Sequence, residues 1–349
     1  MRCYAHINPS DGCYQHRLIL PFRYLSQDYP EADFELSLTD PHGQFDYYFL
    51  HSLFPSFENF RYVSRWKRGG GRWVWGLDDV LNDVPEWNHA KPSDEKLDVY
   101  YHSLDVSDYI LCSTPALASA VNRPNKTLVA RNLVEVSSYG VTEPALCDEG
   151  PLRVLWAGSK THTLDVEQLV APIDRLCDKW GGSVEFYFVG FAPGNLLKKR
   201  LNSGVKYITG VPLAHYPHLL RSIRPHIELA PLVDIPFNRA KSNIRVLEAW
   251  SLAAATVASP VGEYAVVRDG TDGLHATTED EWFDRIDRLI ADPDLRLGLG
   301  RAGRARVSEI GDWANPDCRG EWRAVFRRLA ESRGERAPAS DTAPAPTPK

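Results

Sequence analysis

The chain has 349 residues, 43% hydrophobic and 25% charged, which is enough for two ordinary domains with full cores. It holds no run of about eighteen apolar residues, and residues 1–10 lack a basic start followed by an apolar stretch, so neither a membrane-spanning helix nor a secretory leader is expected. The formal net charge is −6, with 13 Lys and Arg against 21 Asp and Glu in residues 1–150 and 27 against 25 in the remainder, which argues against broad electrostatic capture of nucleic acid.

Strand-like runs alternate with helix-like runs throughout, the pattern of parallel α/β architecture. Strands are expected at residues 2–7, 34–38, 47–51, 72–77, 109–112 and 127–130. Helices fall between them at 14–26, 57–67, 94–104 and 115–122, with Ser93 and Thr114-Pro115 as start signals. Residues 137–150, small and polar with Pro144, read as a linker. A second unit opens with a strand at 152–156 and continues with strands at 184–189, 205–208, 227–229, 256–258 and 273–276. Helices at 279–291, 293–309 and 319–332 close it. The expected division is a first domain over 1–140, a second over 151–315, a helix within 316–333 packing back on the first, and a disordered Ala, Pro and Thr-rich tail over 334–349.

Six cysteines, at 3, 13, 112, 147, 177 and 318, form no Cys-x-x-Cys pair, so reduced thiols in a cytoplasm are expected rather than a zinc site or a disulfide framework. Ten Trp and fifteen Tyr against one Met point to aromatic-rich cores or to grooves of the kind that bind sugars and bases.

The most informative segment is 237–259, a polar loop running into an amphipathic helix and then a buried strand. Ser242 and Asn243 stand where the helix begins, and its free N–H groups and positive end make a phosphate site there. Lys241 adds a full charge, and Glu248 lies about two turns further on, placed to accept a pair of ribose hydroxyls. A capped surface helix with Lys241 and Glu248 solvated fits the same spacing.

This segment resembles the nucleotide-sugar site of glycosyltransferase family 4, retaining enzymes of the GT-B fold. The likeness continues through Gly262, Glu263 and Tyr264 to the run 267–274, and covers roughly 152–329 well and the N-terminal half more loosely. It implies an α/β protein of two Rossmann-like domains facing a cleft, with an acceptor-side domain first and a donor-side domain second. It also implies no cofactor and no metal, only a nucleotide-diphosphate sugar as donor substrate. One departure is that the family has two Glu separated by seven residues, and here Ala240 stands in place of the first, leaving the donor-sugar contact to Lys241 and Ser242.

The same resemblance places Gly158, Ser159, Lys160 and His162 at the donor diphosphate; the family's Arg is missing there, so Lys160, His162 and Lys241 are the substitutes. Gly190, and Val211 in the next turn, fall near the nucleobase. In the first half, Asp78 or Asp79 at a strand end faces the cleft and orients the acceptor hydroxyl, the alternatives being a helix cap or a metal site, the latter disfavoured because this short acidic run shows no recognisable ligand loop. The loop holding Gly12, Tyr14, His16 and Arg17 points at the acceptor, with Arg17 or His16 touching it; a routine strand-to-helix connection is the alternative. Arg61, Arg65, Lys67, Arg68 and Arg72 read as a solvated face, or as a dock for a lipid phosphate at a membrane surface or for nucleic acid.

The expected function is sugar transfer with retention of anomeric configuration onto a glycan or glycolipid precursor, with Asp78, Asp79, Lys241 and Glu248 in the catalytic set. The alternatives are a phage-type DNA glycosyltransferase acting on hydroxymethylated pyrimidines, a non-catalytic nucleotide-binding scaffold, and an epimerase on the same fold.

Overall fold

Strands and helices alternate as the pattern predicts, and they assemble into two parallel sheets. The computed structural model describes residues 1–7, 13–39, 43–51, 54–88, 90–146 and 150–333. Gly12 and the tail 334–349 lie outside the described residues.

The first sheet holds β1 (Arg2–His6), β2 (Asp33–Ser37), β3 (Tyr47–His51), β4 (Arg72–Leu77), β5 (Tyr109–Cys112) and β6 (Thr127–Val129), in the order β2-β1-β3-β4-β5-β6. All neighbours are parallel, with Cys3 opposite Tyr47 and Phe49 opposite Val74. β3 is buried along its whole length. A parallel strand covered on both faces carries a continuous apolar run, which is why Tyr47-Tyr48-Phe49-Leu50 shows no alternation.

The second sheet holds β7 (Leu152–Gly158), β8 (Val184–Gly190), β9 (Val205–Ile208), β10 (Ile227–Ala230), β11 (Ala255–Ala258) and β12 (Leu274–His275), in the order β12-β11-β10-β7-β8-β9. Counted within the domain this is the dinucleotide-binding order 3-2-1-4-5-6. Strand order reverses between β7 and β10, and between β1 and β3 in the first sheet. Ligands of such sheets sit beyond the carboxyl ends of the strands at these points.

The chain crosses between the domains twice, side by side. Val134 N donates to Gly311 O and Trp313 N donates to Val134 O, both at 2.9 Å. After the second crossing the helix Gly320–Ser332 lies on the first domain, where Trp322, Phe326 and Leu329 share a core with Leu18, Phe22 and Tyr47. Each such buried side chain stabilises by roughly 1.5–3 kcal/mol. Arg319 and Arg323 both pair with Asp28, at 2.6 and 2.9 Å.

Two local features differ from the sequence pattern. The first helix begins as a π-helix (Gln15–Ile19) before the α-helix Leu20–Asp28. Pro21 has no N–H to give to the preceding turn, and the widened turn relieves its ring. Ser93 stands at its helix start without a side-chain cap bond, whereas Thr114 Oγ1 accepts from Leu117 N at 3.0 Å.

Candidate functional site at the domain interface

The loop leading into the helix Ile244–Ser251 is gripped from the first domain by three neighbouring strand ends. After β4, Asp79 Oδ1 accepts from Lys241 Nζ at 2.8 Å. After β5, Thr114 Oγ1 donates to Ala240 O at 2.8 Å. After β6, Asn132 Nδ2 donates to Ser242 Oγ at 3.0 Å. Lys241 is buried, with its ammonium 4.4 Å over the Phe237 ring, and Asn243 is buried at the helix start. The helix itself is fixed from behind by the helix Pro293–Ile310, whose Gly303 admits the Trp250 ring: a Cβ there would lie 2.3 Å from Cδ1. Trp250 Nε1 also donates to Asp272 O at 2.9 Å, which explains why the run 267–274 accompanies the helix.

In the second domain, the loop after β7 lies at the strand-order reversal. Gly158 and Gly190 are adjacent across β7 and β8; Gly190 has φ +89°, and a Cβ on it would lie 2.5 Å from Gly158 O. Beside Gly158 comes a residue that the sequence pattern did not bring forward. Arg245 lies 5.8 Å from the Trp156 ring, and its Nη2 would be 3.3 Å from a Cβ on Gly158. Among the described residues its buried Nη1 has no hydrogen-bond partner. Burial works against its charge, but Tyr216, Tyr264, Glu248 and Glu228 around it hold its pKa above the ordinary arginine value. The signal was present as a lone charge between Ile244 and Val246 in the first turn of a helix whose later residues are buried. Arg245 thus brings a guanidinium to the loop after β7 from a different element.

Glu248 is buried, and its Oε1 accepts from Tyr139 Oη at 3.3 Å. Burial raises its pKa, while Arg245, His16 and the hydroxyls of Tyr139 and Tyr216 pull it down. It lines a cavity of about 410 Å³ between the domains, together with His16, Arg23, Tyr139, Leu213 and Tyr216. His16 Nδ1 stands 3.2 Å from Leu133 O. Half-buried Val211 lies in the turn before Leu213 and does not line this cavity. Below Glu248, the carboxyl of Glu228 on β10 is fully buried with both oxygens unpartnered among the described residues, and burial together with Glu248 holds it well above the usual carboxylate range.

His162 is anchored to Asp165, 2.8 Å from Nδ1 to Oδ2. Asp165 is buried and also accepts from Val233 N and Asn238 Nδ2, at 2.9 and 2.7 Å, tying the loop after β7 to the one after β10. Burial lowers the His162 pKa, the Asp165 hydrogen bond opposes that, and the charges of Lys241 and Arg245 lower it further. Both cations therefore act on one imidazole at the mouth of β7. Ser159 and Lys160 are exposed on the same loop, with Ser159 Oγ 2.7 Å from Thr161 Oγ1.

In the first domain the two carboxylates separate. Asp79 is at the cleft, while Asp78 is turned inward at 3.5 Å from Arg17 Nε and 3.9 Å from His51 Nε2. Burial pushes the Asp78 carboxyl up, but Arg17, His51 and hydrogen bonds from Cys13 and Ser113 outweigh it and hold it below the usual range. Arg17 corrects an expectation: it is buried rather than open to substrate. It donates to Ala130 O, to Asn132 Oδ1 at 3.1 Å and to Leu111 O at 3.2 Å, and lies over the Trp322 ring. A guanidinium can satisfy several carbonyls converging at strand ends, so its role is to hold Asn132 and, through it, Ser242. Tyr14 packs against the core of the first domain. Gly12 lies outside the described residues.

Cys13, His51 and Asp78 bring three metal-competent atoms within 4.8 Å of one another. A divalent ion there would sit against the fixed charge of Arg17, so the group fits a metal poorly. Of the basic cluster, Arg61, Arg65 and Arg68 are exposed on the helix Phe57–Arg68, Lys67 pairs with Asp108 at 3.0 Å and Arg72 reaches Tyr109 Oη at 3.4 Å. No helix among the described residues is long and apolar enough to cross a membrane.

Comparison with known proteins bears on this geometry. Over 95% of its length the chain superposes on all of Anabaena HepE, a structure holding UDP and glucose, with a TM-score of 0.67 and 14% identity. Sucrose-phosphate synthase from Thermosynechococcus elongatus gives 0.66 at 12% identity, over 95% of this chain and all of that one. The chain has the GT-B fold of glycosyltransferases. Residues 166–315, within the second domain, match a family model described as glycosyl transferase-like. An alpha-maltose-1-phosphate synthase of Mycolicibacterium smegmatis is 28% identical over 237 residues, 61% of this chain; the chain spans 59% of that relative's length.

Proposed function

We propose that the chain transfers a sugar, with retention of configuration, from a nucleoside-diphosphate sugar to a hydroxyl on a glycan or glycolipid precursor. The observation that carries this reading is the pairing of buried Lys241, in the loop that opens the helix Ile244–Ser251, with Arg245 of that helix lying beside Gly158, where the second sheet reverses its strand order. Fixed positive charge at that point meets a diphosphate leaving group as the glycosidic bond breaks. The start of the helix Ile244–Ser251 adds its N–H groups. Glu248 accepts the ribose hydroxyls, and the turns at Gly190 and Val211 adjoin the base. The acceptor hydroxyl approaches from the first domain, on the Asp79 side. The chain's own cations supply the countercharge, so turnover is expected to survive chelation by EDTA. An acceptor on DNA finds little support in a first domain with more acidic than basic residues.

The test is a thermal-shift panel of UDP, GDP, ADP and CMP with EDTA present, followed by transfer assays with the sugars of whichever nucleotide binds. Ligands of the folded state raise the melting temperature. A shift with one nucleoside diphosphate and none with CMP supports the reading; no shift with any diphosphate overturns it.

A further inference from the structure

Of the three hydrogen bonds that the first domain makes with the loop 240–242 among the described residues, one is between charged groups. Thr114 holds the Ala240 carbonyl and Asn132 holds the Ser242 hydroxyl, both neutral. Asp79 holds the Lys241 ammonium, and among the described residues it is the one carboxylate paired with it. The exposures of the two partners differ: the Lys241 side chain is 10% exposed and that of Asp79 is 32%. Lys241 is also fixed over Phe237, while Asp79 keeps part of its carboxylate open to solvent.

A diphosphate at the start of the helix Ile244–Ser251 needs the same ammonium. A carboxylate and a diphosphate are like charges, and both cannot sit on one largely buried cation without strong repulsion. The more exposed partner is the one free to move. We propose that Asp79 is an internal anion that occupies Lys241 until the donor diphosphate displaces it, and that this displacement delivers the Asp79 carboxylate to the acceptor side of the cleft. The inference rests on the nucleotide-sugar reading above. The neutral contacts of Thr114 and Asn132 stay in place, so the exchange does not open the domains. It makes donor binding precede acceptor binding, because Asp79 can accept a hydrogen bond from an acceptor hydroxyl only after it leaves Lys241.

The sign of one substitution separates this from a simple interdomain staple. Calorimetric titration of UDP and of inorganic pyrophosphate is made on the full chain, on Asp79→Asn, on Lys241→Met and on the double variant. Displacement predicts that Asp79→Asn binds both anions more tightly, roughly three- to thirtyfold. It also predicts that Lys241→Met binds more weakly and that the double variant matches Lys241→Met, since no competition remains to be relieved. Equal or weaker binding by Asp79→Asn, with wild-type binding intact, overturns the displacement and leaves the donor reading standing. Wild-type protein that binds neither anion overturns both. Asp79→Ser gives the same comparison if Asp79→Asn does not fold.

Discussion

Tyr139 Oη donates to Glu248 Oε1 at 3.3 Å, so the crossover between the domains and the helix at the site share a hydrogen bond. That helix also carries Arg245, one turn earlier on the side of β7. The hinge region, the carboxyl and the cation are thus one connected unit, and substitutions in it are expected to change donor binding more than fold.

Glu248→Ala is expected to raise the UDP dissociation constant by about a hundredfold or more, since the two ribose hydrogen bonds to a charged acceptor are each worth about 1.5–3 kcal/mol. Glu248→Gln keeps one acceptor oxygen and is expected to lose less. Titration calorimetry reads both. Wild-type affinity in Glu248→Ala would remove the ribose assignment.

Arg245→Ala is expected to lower turnover about 10²- to 10³-fold, the usual cost of losing a donor aimed at a developing charge. Arg245→Lys is expected to restore little, because a lysine lacks the planar fork that lies beside Trp156 and Gly158. Steady-state kinetics with the bound donor sugar decide it. Turnover within a factor of two of wild type in Arg245→Ala would sink the role.

Much of this was legible from residue types alone. The strand positions followed from apolar runs bounded by Gly and Pro, and Lys241, Ser242 and Asn243 stood out as a polar loop at a helix start. Arg17 and Asp78 were legible as residues of the right region but not in their direction, because the inward turn of each depends on partners from β3, β5 and the loop after β6. Arg245 was missed for the same reason. Periodicity assigns a helix face but cannot show that Trp156 and a glycine lie opposite it. Glu228 had a plain signal, one carboxylate inside the run Ile227-Glu228-Leu229-Ala230, which went unread.

Gly190→Ala is expected to destabilise by about 2–4 kcal/mol, because φ +89° strains an L-residue and the new methyl meets backbone at Gly158 O. Gly194→Ala is the matched control: a Cβ there meets nothing within 4 Å, and it opens the helix Gly194–Arg200. Urea denaturation compares them. Equal midpoints would show that the Gly158–Gly190 contact is slack.

Relative to the wild-type protein, Glu228→Gln is expected to leave stability below about pH 4.5 nearly unchanged and to raise it progressively above that pH. The folded-state pKa of Glu228 lies well above the ordinary carboxylate value of 4.5, from burial first and Glu248 second. Between those two values the folded chain holds a proton that the unfolded chain has released, so stability falls as pH rises. The neutral amide removes that slope. Parallel pH profiles of melting temperature for the two proteins would contradict it.

His226 is expected to give the opposite slope. Its Nδ1 accepts from Arg153 N at 2.9 Å and its Nε2 lies 3.3 Å from Leu146 O, so the neutral ring with its proton on Nε2 ties the linker to the first strand of the second domain. Burial first, then the charge of Arg153, lower its pKa from 6.5 to about 4. Below pH 6.5 the unfolded chain binds a proton that the folded chain refuses, so the stabilisation is complete above that pH and is lost as pH falls toward about 4. His226→Gln is expected to melt lower at neutral pH but to lose less between those limits. Two-dimensional NMR of the imidazole in the wild-type protein reads the same quantity directly. A ring that titrates near 6.5 would mean that this contact opens in solution, and the acid sensitivity of the fold would then have to come from elsewhere in the chain.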